Sequence, residues 1–363
     1  MMHNTRYIGI ILFLTLVGCN IEPTDLNSTD AEGYMEITDE ATANALLNFE
    51  VPSNFPDSTY DISQNPPTEK GFELGKRLFY DGRLVSDGVV SCGFCHIQDF
   101  AFTHHTHITS HGVDGQIGTR NAQPLHNLAF MEDFTWDGAA THLDTQPIIP
   151  ITAEVEMNET VGNVLAKLQN DDRYPAMFRD AFGSDGVTAE RMFKALSQFM
   201  VMMVSGNAKY DKWERGEAIN FTADEEAGRL LFESNCASCH AGTLQTDQSY
   251  RNNGLAVDPE YDDIGRERVT GFPEDNRKFK VPSLRNIEIT FPYMHDGRLG
   301  TLEDVLDFYT DGMVDSETLD PILRQEDGSL GLEISPLEKQ QIITFLKTLT
   351  DNDFLLDDRF AEF

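Results

Sequence analysis

Apolar side chains recur at helical spacing in several stretches of the chain, whereas few windows alternate as a strand would. In residues 188–204, four apolar side chains fall on one face of a helix. Near the end of the chain, Ser335 is placed as an N-cap, with Pro336 at the first helical position and Glu338 as the capping-box acid. Loops rich in glycine, asparagine and aspartate separate these stretches. The pattern predicts a mainly α fold.

A short apolar pattern occurs twice and indicates two similar modules. It reads GKRLF at residues 75–79 and GRLLF at residues 228–232. In each copy the glycine allows another segment to approach closely, and the Leu-Phe pair lies on one helical face. A length of 363 residues is sufficient for two cores, and the Ser-Gly-Asn sequence that begins at Ser205 is a plausible boundary. We therefore predict an N-terminal domain over residues 51–205 and a C-terminal domain over residues 206–363.

The beginning of the chain has the pattern of an export signal. A weakly basic start precedes an apolar run at residues 7–17, which is too short for a comfortable membrane span. Its Leu-Val-Gly-Cys ending resembles the bacterial lipobox, whose cysteine receives a diacylglycerol. We predict a lipoprotein signal peptide over residues 1–18, lipidation at Cys19, an acidic tether over residues 19–50 and a periplasmic location on the outer membrane. The alternative is a simple membrane anchor with an incidental cysteine.

The chain is strongly acidic, with 27 basic and 61 acidic residues and a formal net charge of −34. Such a charge repels phosphates and argues against nucleic acid as a partner. It favours the encounter with a basic partner such as a small cytochrome, because complementary fields speed association. Solubility alone would also explain it.

Four of the five cysteines form two Cys-x-x-Cys pairs, and a histidine follows each pair directly. The two motifs are Cys92, Cys95 and His96, and Cys236, Cys239 and His240. This spacing places both thiols on one side of a helical turn, where each can form a thioether with a haem vinyl group while the histidine binds the iron. Zinc or thioredoxin-like chemistry would accept cysteine pairs, but neither needs the histidines. The sequence predicts two covalently bound haem c groups.

Five further blocks carry a resemblance to a family. They are IGTRNAQP at residues 117–124, FTWDG at 134–138, EVEM at 154–157, KVPSLRN at 280–286 and PYMHDG at 292–297. In content and order they resemble the bacterial di-haem cytochrome c peroxidases and their MauG-like relatives. The resemblance implies two cytochrome c-like domains that reduce hydrogen peroxide with electrons from a small cytochrome or cupredoxin, and it leaves room for a homodimer.

The resemblance also implies roles for individual residues. His96 would hold the peroxidatic haem and His240 the electron-transfer haem. Glu156 matches the acid that moves a proton between the two peroxide oxygens, and Gln146 matches a distal hydrogen-bonding glutamine. Trp136 matches an indole that lies between the haems and relays electrons. Without the resemblance, Glu156 would be interpreted as a surface carboxylate and Trp136 as a core aromatic residue.

Two metal assignments rest on the same resemblance. Asn121, Thr290 and Pro292 match positions that bind calcium between the domains through a side-chain amide oxygen and two backbone carbonyls. His111 resembles the histidine that blocks the peroxidatic iron in the resting state of many such peroxidases. The competing histidines of the same loop are His104, His105 and His107.

The second haem has two candidate sixth ligands. Tyr309 lies fourteen residues after His295, where ordinary di-haem peroxidases carry methionine and MauG-like enzymes carry tyrosine. Met313 would be the ligand instead if the alignment with the family shifts by four residues. In the alternative interpretation, Tyr309 packs in the core of a helix over residues 302–309. Ala139 stands where the family often has arginine.

From the two haem motifs and the resemblance together, we predict a di-haem peroxidase. Two other functions remain open: a MauG-like oxidase that modifies a partner protein, and a non-catalytic di-haem electron carrier.

Overall fold

The computed structural model describes residues 44–86, 88–104 and 107–363, and these residues are predominantly helical. The predicted signal peptide, Cys19 and His105 lie outside the described residues. The first six helices are α1 (Glu69–Tyr80), α2 (Cys92–Cys95), α3 (Ile148–Thr152), α4 (Val161–Gln169), α5 (Tyr174–Phe182) and α6 (Ala189–Val201). The next six are α7 (Lys209–Glu214), α8 (Ala223–Asn235), α9 (Glu267–Thr270), α10 (Leu302–Asp307), α11 (Pro336–Lys347) and α12 (Asn352–Leu355).

Two short strands form a single antiparallel ladder in the described part of the chain. They are β1 (Tyr250–Arg251) and β2 (Phe279–Lys280), with Tyr250 opposite Lys280. The predicted mainly α class is therefore confirmed. Within the described ranges, none of the helices has the length and apolar character needed to cross a bilayer.

Capping side chains fix where the main helices begin. Thr68 accepts a hydrogen bond from the backbone N–H of Gly71 (3.1 Å) at the start of α1. Thr222 forms a capping box with Glu225 at the start of α8. The capping box predicted at Ser335 is present, and α11 follows it. These caps satisfy N–H groups that the first turn of a helix leaves without partners.

The repeated apolar pattern corresponds to a repeated helix crossing. A Cβ atom on Gly75 in α1 would lie 2.0 Å from the carbonyl oxygen of Ala195 in α6. A Cβ atom on Gly228 in α8 would lie 1.9 Å from the carbonyl oxygen of Gln341 in α11. The phenylalanine four residues further along the partner helix contacts each glycine: Phe199 in α6 and Phe345 in α11. Glycine is therefore required at both crossings for steric reasons.

Each crossing has its own hydrophobic core, but the cores do not follow the predicted domain boundaries. The first core contains α1 and α6, and the second contains α8, α10 and α11. Phe354 and Phe360 from the C-terminal tail are buried in the first core. The C-terminal segment thus returns to the N-terminal half, and residues 44–363 form one compact unit.

The predicted tether is too long at its C-terminal end. The N–H of Leu47 donates to the carbonyl oxygen of Pro67 (2.9 Å), and both Leu47 and Phe49 pack against the first core. Residues 44–50 therefore belong to the packed domain, because their apolar side chains find partners on its surface.

Candidate functional site

The first Cys-x-x-Cys-His motif forms a single helical turn. Helix α2 spans Cys92–Cys95, and the N–H of His96 donates to the Cys92 carbonyl (2.9 Å). The Nδ1 atom of His96 lies 2.7 Å from the carbonyl oxygen of Phe102, so Nδ1 carries the proton and Nε2 keeps its lone pair. Ala101 and Phe102 both have positive φ, a strained turn that brings this carbonyl to the imidazole. Burial lowers the pKa of His96, which keeps it neutral, as a metal ligand must be.

The second motif follows α8 and is supported in a similar way. The Nδ1 atom of His240 lies 3.3 Å from the carbonyl oxygen of Gln245 and 3.2 Å from that of Pro282. Gln245 has a positive φ of 54°. Burial lowers the pKa of His240, so its Nε2 is also available as a neutral ligand. A carbonyl of the KVPSLRN block thus orients the second histidine.

The donor groups at both motifs fit covalent haem better than zinc. Burial raises the pKa of Cys92 and of Cys236 to about 12. A structural zinc site needs four ligands, whereas each motif supplies two thiols and one imidazole. Among the described residues, no three or more His, Cys, Asp or Glu side chains are arranged to hold a metal ion. A haem c requires two thiols for thioether bonds and one neutral imidazole for the iron, and each motif provides that set.

A cavity of about 720 Å³ lies beside the first motif. It is of cofactor size, and its wall includes apolar side chains such as Leu196 and Met200. The residues predicted for the first haem site all line it: Cys92, Cys95, His96, His111, Trp136, Gln146 and Glu156. The fold therefore brings together residues that are up to 64 positions apart in the sequence.

Glu156 is held firmly in this cavity wall. The hydroxyl of Ser110 donates to its Oε1 (3.2 Å), and the N–H of Val113 donates to its backbone carbonyl (2.8 Å). A Cβ atom on Gly112 would lie 2.4 Å from that carbonyl oxygen, so only glycine fits there. Burial raises the pKa of Glu156, with Ser110 partly opposing the shift. A carboxyl group with a raised pKa is suited to exchanging protons near neutral pH.

Trp136 lies between the two halves of the molecule. Its indole Nε1 donates to the carbonyl oxygen of Asn121 (2.9 Å), and its own carbonyl accepts from the N–H of Lys280 in β2 (2.7 Å). The neighbouring Asp137 is buried in an ion pair with Arg120 (2.6 Å). These contacts fix the indole in the cavity wall next to the second half.

Tyr309 belongs to the second centre. It lies in a π-helical turn, Phe308–Gly312, that follows α10 directly, so the helical path continues past Tyr309 with a change of winding at Phe308. Its hydroxyl accepts a hydrogen bond from Asn253 Nδ2 (3.3 Å). Burial raises the pKa of Tyr309 to about 12, and the thiols of Cys236 and Cys239 add to the rise. Turns of this kind are frequent at functional sites.

Comparison with known proteins decides the family. The methylamine utilization protein MauG of Methylorubrum extorquens is 34% identical to this chain over 88% of the chain and 90% of its own length. The chain belongs to the di-haem cytochrome c peroxidase family. The family model described as di-haem cytochrome c peroxidase matches residues 69–219. The cytochrome c551 peroxidase of Nitrosomonas europaea is 37% identical over 78% of this chain and 81% of its own length.

A solved structure agrees with this membership. The crystal structure of a MauG-like protein associated with microbial copper homeostasis has a TM-score of 0.76 and 30% identity, over 87% of this chain and 99% of that chain. The predicted family and enzyme class are thus confirmed: the chain is a di-haem oxidoreductase. Two haem c groups follow from the family, and the residues at both motifs fit them.

His111 faces the cavity and belongs to a cluster of three histidines, with His104 and His107. Among the described histidines of its loop, His111 is the one that lines the cavity. Its ring centroid lies 3.9 Å from that of His107, whose Nδ1 lies 2.8 Å from His104 Nε2. His111 is thus the member of this cluster that lies at the cavity beside the first motif.

The three residues predicted to bind calcium lie on segments that meet between the halves. The N–H of Asn121 donates to the carbonyl of His295 (2.7 Å), three residues after Pro292, and Thr290 is buried. The side-chain nitrogen of Asn121 donates to the carbonyl of Ile108 (3.0 Å), so its oxygen is the end left for a cation.

Several residues of the di-haem site were not predicted from the sequence. Ser110, Gly112 and Asn253 orient Glu156 and Tyr309, and Met294 Sδ accepts from the Asn253 side-chain nitrogen (3.5 Å). Serine and asparagine are common in loops, so their types gave no signal. The glycine in Ser-His-Gly-Val was the only local sign of close packing near this loop.

Proposed function

We propose that this enzyme reduces hydrogen peroxide to water with electrons from a small redox protein, a cytochrome or a cupredoxin. The observation that carries the proposal is that Glu156, Gln146 and His96 line one cavity, with Glu156 half-buried and its pKa raised by burial. When bound, the first haem supplies the iron that receives peroxide, and the second stores an electron. A plain electron carrier would have no use for an acid of raised pKa in the wall of such a cavity.

The residues of the cavity supply the proton chemistry. The Glu156 carboxylate takes the proton from one oxygen of peroxide and returns it to the departing oxygen, which leaves as water. Gln146 would orient the bound peroxide through its side-chain amide. The full reaction consumes two electrons and two protons for each peroxide and yields two waters.

Electrons have a short protein route between the two sites. His240 donates to the carbonyl of Pro282, and Pro282 itself lines the first cavity. Trp136 lines the same cavity and is hydrogen-bonded to Lys280, two residues earlier in the same segment. The second histidine and the first cavity therefore share one wall, which suits transfer from the second haem to the first.

Steady-state turnover tests the proposal. The haem-loaded protein should oxidise a reduced small basic cytochrome when peroxide is added, and should consume one peroxide for every two electrons. High ionic strength should slow the reaction, because the acidic enzyme attracts a basic donor. Fully loaded protein that leaves peroxide untouched would rule the proposal out.

A MauG-like oxidation of a partner protein is the second candidate. The observation that favours it is Tyr309, which is half-buried near the second motif and hydrogen-bonded to Asn253. The 34% identity to a MauG protein points the same way. Mass spectrometry of a co-purified or gene-neighbour protein after exposure to peroxide separates the candidates: a new covalent modification supports the oxidase, and cytochrome turnover without one supports the peroxidase.

Export and anchoring complete the proposal. Covalent haem attachment of this kind takes place after export, which agrees with the signal predicted over residues 1–18. We propose that Cys19 is lipidated and holds the enzyme at the outer membrane, where it meets periplasmic electron donors. Cys19→Ala should release the enzyme from the membrane fraction without loss of haem.

A further inference from the structure

His126 is a buried histidine that the proposed reaction does not use. Its side chain is 2% exposed and lines the first cavity. Its Nε2 atom is buried and has no hydrogen-bond partner among the described residues. Burying a polar group without a hydrogen-bond partner costs free energy of folding. We therefore expect Nε2 to have a hydrogen-bond partner that is not part of the polypeptide.

The neighbours of His126 determine its tautomer. Nδ1 lies 3.5 Å from the side-chain nitrogen of Asn127, which also donates to the carbonyl of Ser205 (3.0 Å). Because an amide nitrogen only donates, Nδ1 is the acceptor and Nε2 carries the proton. Burial lowers the pKa of His126 to about 3, and the Arg285 guanidinium adds to the lowering. The Arg285 backbone carbonyl opposes the shift but does not meet the geometry of a hydrogen bond to Nε2. The ring is therefore a neutral donor at physiological pH.

His126 lies on the same wall as the proximal histidine. His96 is hydrogen-bonded to the backbone carbonyl of Phe102. The ring centroid of Phe354 lies 5.8 Å from that of Phe102 and 6.2 Å from that of His126. Apart from the ligands of its iron, the hydrogen-bond acceptors at the edge of a haem are its two carboxylates. A neutral N–H group in this wall could donate a hydrogen bond to one of these carboxylates.

We propose that His126 is a positioning residue whose Nε2–H donates a hydrogen bond to a carboxylate of the haem held by His96. The positive end of the N–H dipole faces the haem and stabilises an added electron, so the contact raises the reduction potential of the first haem relative to a variant without it. The proposal rests on the haem implied by the family and not on peroxide reduction. An enzyme that fails to reduce peroxide would still have this hydrogen bond and its effect on the potential.

The test compares two substitutions in the haem-loaded protein. His126→Leu removes the donor, and His126→Gln keeps an N–H of similar reach. His142→Leu is the matched control, because the His142 side chain is 55% exposed. The measurements are redox titration of each haem and the resonance Raman bands of the haem carboxylates.

In His126→Leu, the oxidised-to-reduced ratio of the first haem at a fixed potential should rise, by at most about fivefold, because one hydrogen bond sets the upper limit of the effect. The carboxylate bands of that haem should move as well. His126→Gln should lie between Leu and wild type, and the second haem and His142→Leu should not change. If His126→Leu leaves both the ratio and the bands of the first haem unchanged, Nε2 is bonded elsewhere, with the Arg285 carbonyl as the nearest alternative, and the proposal is wrong.

A measurement on wild-type protein covers the case in which His126→Leu does not fold. Exchange into D2O replaces the Nε2 proton and should shift a first-haem carboxylate band, and the shift should differ in His126→Gln. A band that does not respond to exchange in the wild type overturns the proposal.

Discussion

The two halves of the molecule build the same helix crossing but surround their haem motifs differently. In each half a glycine lies against a backbone carbonyl of the partner helix, at Gly75 and at Gly228. In the first half the motif borders a cavity that contains Glu156. In the second half, the half-buried Tyr309 is hydrogen-bonded to Asn253. The helix crossing and the Cys-x-x-Cys-His turn are thus common to both halves, whereas the side chains that surround each motif differ.

The largest effect should come from removing either pair of thiols. Cys92→Ala with Cys95→Ala should leave one covalent haem and no peroxide turnover, since the cavity borders this motif. Cys236→Ala with Cys239→Ala should also leave one covalent haem, because each motif belongs to its own core. Intact mass after acid extraction gives the haem count. A double variant that lost both haems would show that the halves do not mature independently.

The acid in the first half is the next most sensitive feature. Glu156→Gln keeps the shape but cannot carry a proton, so turnover should fall by roughly 10²–10⁴-fold with both haems still attached. Glu154→Gln, two residues away on an exposed side chain, is the matched control and should be near wild type. A Glu156→Gln variant with normal turnover would show that the acid is misassigned.

The pH dependence of turnover gives a further check on the same group. Glu156 must be a carboxylate to accept a proton from peroxide, and burial raises its pKa. Turnover should therefore decline on the acid side at a pH above the ordinary carboxyl range, and this limb should be absent in Glu156→Gln. An acid limb that persists in the variant belongs to another group.

The cofactor-binding features were predictable because they are local in sequence. Each Cys-x-x-Cys-His motif lies within five residues, and another segment does approach closely at the glycines of GKRLF and GRLLF, as predicted. The supporting groups were not predictable in this way. His96 and His240 are oriented by carbonyls of Phe102 and Pro282, and every residue has a carbonyl, so sequence carries no sign of which one is used.

The domain limits were harder to predict because tertiary packing decides them. Phe354 and Phe360 come after the last long helix without a helical repeat, yet they are buried in the first core. Leu47 lies in a stretch that composition marks as a tether, but it packs on the domain. Single apolar side chains that dock onto a distant core leave no periodic pattern.

The two glycine crossings should respond equally to substitution. Gly75→Ala and Gly228→Ala would each press a methyl group against a backbone carbonyl. Overpacking of this kind should lower the free energy of unfolding by about 1–3 kcal/mol. Gly162→Ala in α4 is the control, since a Cβ there meets nothing within 4 Å, and it should be neutral or stabilising. Denaturant unfolding measures all three. Unequal losses of stability in Gly75→Ala and Gly228→Ala would show that the two crossings differ more in packing than their similar geometry indicates.

A calcium ion between the halves would have a smaller effect. If Asn121, Thr290 and Pro292 bind calcium, a chelator should partly lower turnover by loosening the junction, and added calcium should restore it. Asn121→Asp keeps an oxygen ligand and should retain the response, whereas Asn121→Leu should lose it. Metal analysis that finds no calcium in fully active enzyme would end this idea.

The smallest change in turnover, but the clearest in spectrum, should follow substitution of Tyr309. Its pKa of about 12 means that an unbound phenol stays protonated at neutral pH, so a phenolate would be present only if iron stabilises it. A phenolate is a hard anionic donor that favours ferric iron and a low potential, whereas a thioether favours ferrous iron.

Tyr309→Phe should therefore raise the potential of the second haem and remove phenolate bands from its resonance Raman spectrum. Met313→Leu and Met294→Leu should change neither, and the oxidised wild type should lack the near-infrared band of methionine–ferric ligation. If Met313→Leu or Met294→Leu alone alters the second haem, that methionine is the ligand. The second half would then resemble an ordinary, reductively activated peroxidase, and the difference between the two halves would lie in the first cavity alone.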